Sequence, residues 1–250
     1  MPPKRFWELT TTAALLVAVG IAATGVLQYE HRQRQTRLLK AELDAEPPHA
    51  DVLRRLLDRG ADPHVQGSAG KNLLMVAARI NAPDLVTRAL QSGLAATIRD
   101  QYGDGALEYA INAARQEPEP VAVVQTLVDH GAELHGVTMS SGGPLFTAAY
   151  RGETEVVKIL VTAGANIDQQ DSQGYTPLFH AALGRQPLAV ETLLTLGADQ
   201  YLRARNGRTA AEEARLSCAA RVKALRRVKA VPRELDQTER NCRAVFQLLR

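Results

Sequence analysis

The chain has 250 residues, 30 Lys and Arg against 27 Asp and Glu, 4% aromatic residues and two cysteines. That length holds one large domain or two small ones, and two cysteines with no CxxC pair exclude a disulfide framework. The formal charge of +3 is unevenly placed: residues 1–200 carry 17 basic against 22 acidic side chains, and residues 201–250 carry 13 against 5.

The chain opens with "MPPKRFWE", which places Lys4 and Arg5 just before Phe6 and Trp7. From Leu9 to Leu27 there follow nineteen residues without a charge. As a helix they cover about 28 Å, close to the bilayer's hydrocarbon thickness. The apolar region of a signal peptide is shorter, about 7–15 residues. Trp7 and Tyr29 flank the run where interfacial aromatics belong. Ala23-Thr24-Gly25 has the small-residue spacing for a cut before Val26, but Arg32, Arg34, Arg37 and Lys40 follow at once and resist translocation. Four basic side chains behind the segment and two before it mildly favour a cytoplasmic C-terminal part. The expectation is a single-pass membrane anchor through residues 9–27, with its orientation open; the alternative is a cleaved leader and a periplasmic or secreted product. Ala14, Ala18 and Ala22 form a small-xxx-small row, a weak signal for packing a second copy.

The remainder becomes legible through self-similarity. A Leu-rich segment runs into a glycine five times, in "LLDRGADPH", "ALQSGLAAT", "LVDHGAELH", "LVTAGANID" and "LLTLGADQY", at Gly60, Gly93, Gly131, Gly164 and Gly197. The intervals are 33, 38, 33 and 33, and the longer one holds the proline-bearing "ARQEPEPVAV". Each period reads as a turn ("SAGKN", "QYGDG", "SQGYT", "RNGRT"), a short apolar helix ("LLMVAAR", "ALEYAIN", "PLFTAAY", "PLFHAAL", "AAEEARL") and a second helix that stops at the glycine. Pro144 and Pro177 sit at the first helical position, where a missing N–H is harmless. The pairs Ala77-Ala78, Ala148-Ala149 and Ala181-Ala182 allow neighbouring helices to approach closely.

"GYTPLFHAA" and "LLTLGAD" resemble the ankyrin repeat: a hairpin turn, TPLHxAA, a second helix, then GAD. The resemblance covers about residues 48–217. It departs from the pattern where the family places the histidine of TPLH. Phe179, Phe146, Met75 and Glu108 stand there, so the hydrogen bond from that position to the turn is expected to be lost. The glycine between the two helices is kept only as Gly152; Asn81 replaces it once, and Gly184 sits one position early. The unit before residue 67 lacks the turn motif and reads as an N-terminal cap.

Past Ala204 the pattern ends in "RVKALRRVKA", where Val222, Leu225 and Val228 form a narrow apolar stripe among Arg and Lys. A polar outer face suits a terminal repeat. After Pro232 a last helix carrying Cys242, Val245, Phe246 and Leu249 is expected to lie over the exposed end of the stack. Cys218 and Cys242 staple two antiparallel helices if the chain folds in an oxidising space, and are two small core residues if it does not; spacing alone leaves both open.

Catalytic patterns do not survive inspection. "GSAGKN" has Val65 where a phosphate loop needs glycine and ends in Asn72, and His130 with His135 is a pair without further ligands. No HExxH, GxSxG or EF-hand loop occurs, and the basic C-terminal part carries no nucleic-acid motif.

The expected fold is therefore an all-α ankyrin-type solenoid of helix-turn-helix units with short hairpin turns, plus an N-terminal apolar helix. Its divisions are 1–30 (signal or transmembrane segment), 31–66 (N-terminal cap), 67–217 (repeats) and 218–250 (basic capping helices). The resemblance implies a non-enzymatic protein-binding module without cofactor or metal, its unknown protein partner held on a concave face. By motif position the contact residues are Arg79, Ile80, Tyr102, Asp104, Tyr150, Arg151, Gln173, Tyr175 and Leu183, with Tyr and Arg the strongest anchors. Nucleic acid is not an expected partner; contact of the basic C-terminal helices with lipid or nucleic acid is the reading from a different class.

Overall fold

A computed structural model describes residues 5–113, 120–134, 143–227 and 232–249, with residues 5–23, 227 and 232 described by backbone alone. Most of the proline-bearing insertion, His135, Val228 and the side chains of Leu9 to Ala23 therefore lie outside the described residues. Two compact units divide the chain, Met1–Ser68 and Ala69–Arg250.

In the first unit, α1 (Arg5–Leu43) pairs with α2 (Ala50–Asp58). Leu39 and Leu43 of α1 and Leu53, Leu56 and Leu57 of α2 are buried. The Thr36 hydroxyl accepts the Asp62 N–H at 2.9 Å and fixes the chain beyond α2 to the first helix. The expected division at residue 30 falls inside α1. Among the described residues no helix is long and apolar enough to cross a membrane.

The second unit is two rows of helices. The first row is α3 (Leu73–Arg79), α5 (Ala106–Asn112), α7 (Pro144–Arg151), α9 (Pro177–Leu183) and α11 (Ala210–Arg227). The second is α4 (Pro83–Gln91), α6 (Val121–Asp129), α8 (Thr154–Thr162), α10 (Pro187–Thr195) and α12 (Pro232–Leu248). Each helix touches its neighbours along the row and its partner across it. Among the described residues there is no strand beyond the isolated bridge Arg99–Gly105. The core lies between the rows: Leu73, Leu74, Leu107, Ile111, Phe146 and Phe179 from the first, Leu85, Val124, Leu127, Val157, Leu160 and Leu193 from the second, all buried. The alanine pairs Ala77-Ala78, Ala148-Ala149 and Ala181-Ala182 are at most 1% exposed. There, larger side chains would hold the first helices apart.

The termini of the helices explain the period. Gly93, Gly131, Gly164 and Gly197 have φ between 77° and 101°. The next N–H then turns back to the helix, as from Leu94 to the Ala89 carbonyl at 3.3 Å and from Ala165 to the Leu160 carbonyl at 2.9 Å. This is the left-handed stop that satisfies the last carbonyls and lets a glycine end α4, α6, α8 and α10.

The turns between the paired helices use the same geometry with other residues. Gly152 has φ 81°, Asn81 has φ 51°, and Arg185 has φ 59°. Asn tolerates that region; Arg there carries a steric cost of about 1–2 kcal/mol. Gly184, one position early, is right-handed at φ −67°. Its lack of a side chain serves a different end, since a Cβ at Gly184 would run into the Tyr150 carbonyl of the neighbouring repeat. Arg185→Gly should therefore stabilise the chain by about 1 kcal/mol after the extra unfolded-state freedom of glycine is counted, read as a higher urea midpoint at unchanged slope.

The C-terminal helices correct one expectation. α12 does not lie across the end of the stack. It stands beside α10 in the second row and packs on α11 as the partner of a fifth pair. Cys218 and Cys242 join α11 to α12 as a disulfide, Cα atoms 6.1 Å apart, both sulfurs' residues buried. Val245 and Leu225 are buried in the same pair, and the Arg215 guanidinium lies 5.9 Å over the Phe246 ring. The expected division at residue 218 falls inside α11.

Candidate functional site: the hairpin row and the ends of the first helices

The hairpins that precede α5 and α9 are built on one aspartate each. Asp100 Oδ1 accepts the N–H of Tyr102 at 2.8 Å and of Asp104 at 2.9 Å. Asp171 Oδ1 accepts those of Gln173 at 2.8 Å and Tyr175 at 2.9 Å. A carboxylate that binds the backbone two and four residues on fixes the turn without help from a sheet. The second oxygen of each is also used. Asp100 Oδ2 accepts the Tyr109 hydroxyl at 2.8 Å, and Asp171 Oδ2 takes the His180 Nε2 N–H at 3.0 Å. The last hairpin has Ala204 in place of the aspartate, and Asn206 Oδ1 holds the Arg208 N–H at 3.0 Å instead.

This corrects the expectation that the helix-to-turn hydrogen bond is lost. In two repeats it has moved one residue along, to Tyr109 and His180. In one of these the original position still contributes: Glu108, 2% exposed, accepts the Gly105 N–H at 3.0 Å and the Arg99 guanidinium at 3.1 Å. Arg99 also holds Glu133 at 2.7 Å and the Gly103 carbonyl at 2.5 Å. Phe146 and Phe179 replace polarity by ring packing: Tyr175 stacks on Phe179 at 5.1 Å, and His180 meets Phe146 edge-on at 5.2 Å.

The charges follow from this wiring. Burial raises the Tyr109 pKa, and the hydrogen bond to Asp100 raises it further, so the phenol stays a donor. For Asp171 burial pushes upward, but the His180 bond and the N–H groups of Tyr175 and Gln173 outweigh it, and the pKa is lowered. A carboxylate whose folded pKa lies below its unfolded value of about 3.9 contributes stability above that pH and loses it as pH falls through the folded value. Urea midpoints of the wild type should therefore fall faster below about pH 4 than those of Asp171→Asn, which keeps the Oδ1 acceptor and cannot titrate. Parallel profiles would remove this role from Asp171.

Neighbouring hairpins are also tied to one another. The Gln101 N–H reaches the Ala69 carbonyl and the Arg205 N–H the Gln173 carbonyl, each at 3.0 Å. The Gln170 amide bridges Gly174 at 3.1 Å and Arg203 at 3.3 Å. The hairpins before α3 and α5, and those before α9 and α11, are thus linked in pairs.

The residues expected to meet a partner fall into two groups. Tyr102 on a hairpin tip and Tyr150 at the end of α7 are 51% and 50% exposed. Gln173 is exposed, and Ile80 and Leu183 are half-buried at the ends of α3 and α9. The others are engaged within the chain. Arg151 donates to the Ala113 carbonyl at 2.6 Å and to Glu153 at 2.9 Å, capping the end of α5. Tyr175 stacks on Phe179 and its hydroxyl meets Glu213. Asp104 and Arg79 have interactions within the chain. The pairing of Asp with Tyr or His was not foreseen, although the nine-residue spacing recurs in "DQYGDGALEY" and "DSQGYTPLFH".

Among the described residues no group of three or more His, Cys, Asp and Glu could hold a metal ion. His130 turns its Nδ1 to the Thr126 carbonyl at 2.8 Å, and its expected companion His135 lies outside the described residues.

A family model described as ankyrin repeats (3 copies) matches residues 43–138 and 113–204. No curated protein matches the chain.

Proposed function

The chain belongs to the ankyrin repeat family, and from that premise we propose that it is a non-enzymatic protein-binding module whose concave face takes the partner. Repeat arrays of this family are interaction modules, and their binding energy comes from side chains displayed on a stiff frame. The observation that carries the reading is the half-exposed pair Tyr102 and Tyr150. Each presents a large amphipathic ring from a backbone fixed by hydrogen bonds, the combination that makes interface anchors. Gln173, Ile80 and Leu183 extend that surface. Arg151 and Tyr175 act by holding neighbouring elements in place, and Arg79 and Asp104 are engaged within the chain.

We propose further that residues 9–27 tether the module to a membrane, with the repeats on the oxidising side. The uncharged length from Leu9 to Leu27 supports the tether. The Cys218–Cys242 disulfide supports the side, since such bonds persist in oxidising compartments. The basic flank from Arg32 to Lys40 points the other way by only two charges. The alternative, an exported product cut before Val26, shares the disulfide and differs in its mass. Fractionation of the tagged protein, with alkylation before and after reduction, tests both parts. Detergent-released, full-length protein with no reactive thiol until reduction is the expected result. A soluble product that begins at Val26 overturns the tether, and two thiols reactive without reduction overturn the assigned side.

A further inference from the structure

α1 runs unbroken from Arg5 to Leu43, so each residue on it has a fixed height above the apolar run. At a rise of about 1.5 Å per residue, Gln28, His31 and Arg32 stand about 1.5–7.5 Å beyond Leu27, where that run ends. With the run in the hydrocarbon, this is the depth of one headgroup layer, about 5–7 Å. α2 brings two more residues to the same level. An open depression of about 450 Å³ is lined by Leu27, Gln28, His31 and Arg32 of α1 and by Arg59 and Gly60 where α2 ends. No carboxylate lines it, and Leu27 beside it is 64% exposed.

The charge in this recess has no counterpart within the chain. Among the described residues neither Arg32 nor Arg59 pairs with a carboxylate. Glu42 and Asp51 of the same unit hold His49 at 3.0 Å and Arg54 at 2.7 Å. Asp62 Oδ1 accepts the His64 N–H at 3.0 Å, and Asp58 is engaged within the chain. Glu30 falls on the other half of α1 by its register. Two guanidinium groups from separate helices thus share one recess without an anion.

We propose that Arg32 and Arg59, with Gln28 and His31, hold the phosphate of an anionic glycerophospholipid whose chains lie along Leu27 and the apolar run. The inference rests on the tether of residues 9–27 and names the lipid that its inner end takes. A guanidinium binds phosphate oxygens in pairs, and two of them exceed the charge of one phosphodiester. A zwitterionic headgroup would bring its own cation against them. The recess is open, as a seat must be when the ligand's chains continue into the bilayer. Arg59 is what separates a seat from a merely basic flank: it follows the apolar run by more than thirty residues, and only the packing of α2 on α1 brings it to the headgroup level.

The test begins with the full-length chain and nanodiscs of phosphatidylcholine alone. Entry into them reports the tether by itself, since no anionic lipid is present. The chain is then placed in nanodiscs of equal phosphatidylglycerol and phosphatidylcholine, and native mass spectrometry of the released protein counts the lipid it retains. Phosphatidylglycerol should be retained about tenfold over phosphatidylcholine, and Arg59→Gln should reduce that preference about fivefold. Arg32→Gln with Arg59→Gln should abolish it. Arg37→Gln with Lys40→Gln removes as much charge from exposed positions farther along α1 and should leave the preference unchanged. Added inorganic phosphate should not displace the lipid. A chain that enters the nanodiscs but retains both lipids equally overturns the seat and leaves the tether standing. Equal loss in the Arg37 and Lys40 variant overturns it too, by reducing it to diffuse charge, and displacement by inorganic phosphate reassigns the recess to a soluble anion. A chain that does not enter phosphatidylcholine nanodiscs overturns the tether and the seat together.

Discussion

Replacing Glu108 with alanine should cost about 3–5 kcal/mol, the range for breaking a buried ion pair by removing one partner. Glu108 is 2% exposed and each of its oxygens has its own task. One accepts the Gly105 N–H at the start of α5, and the other binds Arg99, which reaches on to Glu133 and Gly103. Alanine leaves the buried Gly105 N–H without its acceptor, opens a void beneath the hairpin, and halves the carboxylate charge around Arg99. Glu108→Gln keeps an oxygen for the Gly105 N–H and should cost markedly less. Urea denaturation gives the free energies, and hydrogen exchange should place the new opening at residues 99–112. A loss below about 1 kcal/mol for the alanine variant would mean that the pair is no more than an exposed one in effect.

Gly184→Ala should be nearly as damaging, at about 3 kcal/mol, the upper end for overpacking. The φ of −67° suits alanine well, and helix propensity alone would favour the change. What forbids it is the neighbouring repeat. The added Cβ meets the Tyr150 carbonyl, with the Gln186 side chain also 3.2 Å away. A side chain can rotate aside; a carbonyl at the end of α7 moves only with its helix. The cost should therefore appear as separation of the α7–α8 pair from the α9–α10 pair, visible as lowered protection on both sides of the junction. Arg185→Gly in the same turn has the opposite sign, which makes the two substitutions a check on each other.

The repeat architecture was legible because period, capping glycines and helix-opening prolines are local signals, and each is met at the helix ends of the second unit. The buried alanine pairs were legible for the same reason. Gly184 was misplaced by motif alone. Its spacing suggested a displaced turn glycine, whereas the left-handed residue is Arg185 and Gly184 answers to a contact 34 residues away in sequence, with Tyr150. The helix-to-turn bond is not legible from the motif, which places its polar residue at the positions of Phe179 and Glu108. A hydrogen bond needs a donor at the right height on the helix, and Tyr109 and His180 reach the aspartates from the next position. The placement of α12 turned on packing against α10, which no helix pattern announces. For the residues expected at a partner surface, pattern does not show which side chains are already engaged within the chain. Arg151 reads as a free interface arginine in sequence, and only the tertiary fold shows its guanidinium on the Ala113 carbonyl.

The central claim is that this array holds a protein by the surface that carries Tyr102 and Tyr150. Site-specific photo-crosslinking in the native host tests it most directly, with benzoylphenylalanine placed at Tyr102, at Tyr150 and, as a control, at Leu188, which is 67% exposed on α10 in the second row. The claim predicts a discrete protein adduct from the two tyrosine positions and none from Leu188. An equal adduct from Leu188, or none from Tyr102 and Tyr150, would contradict it.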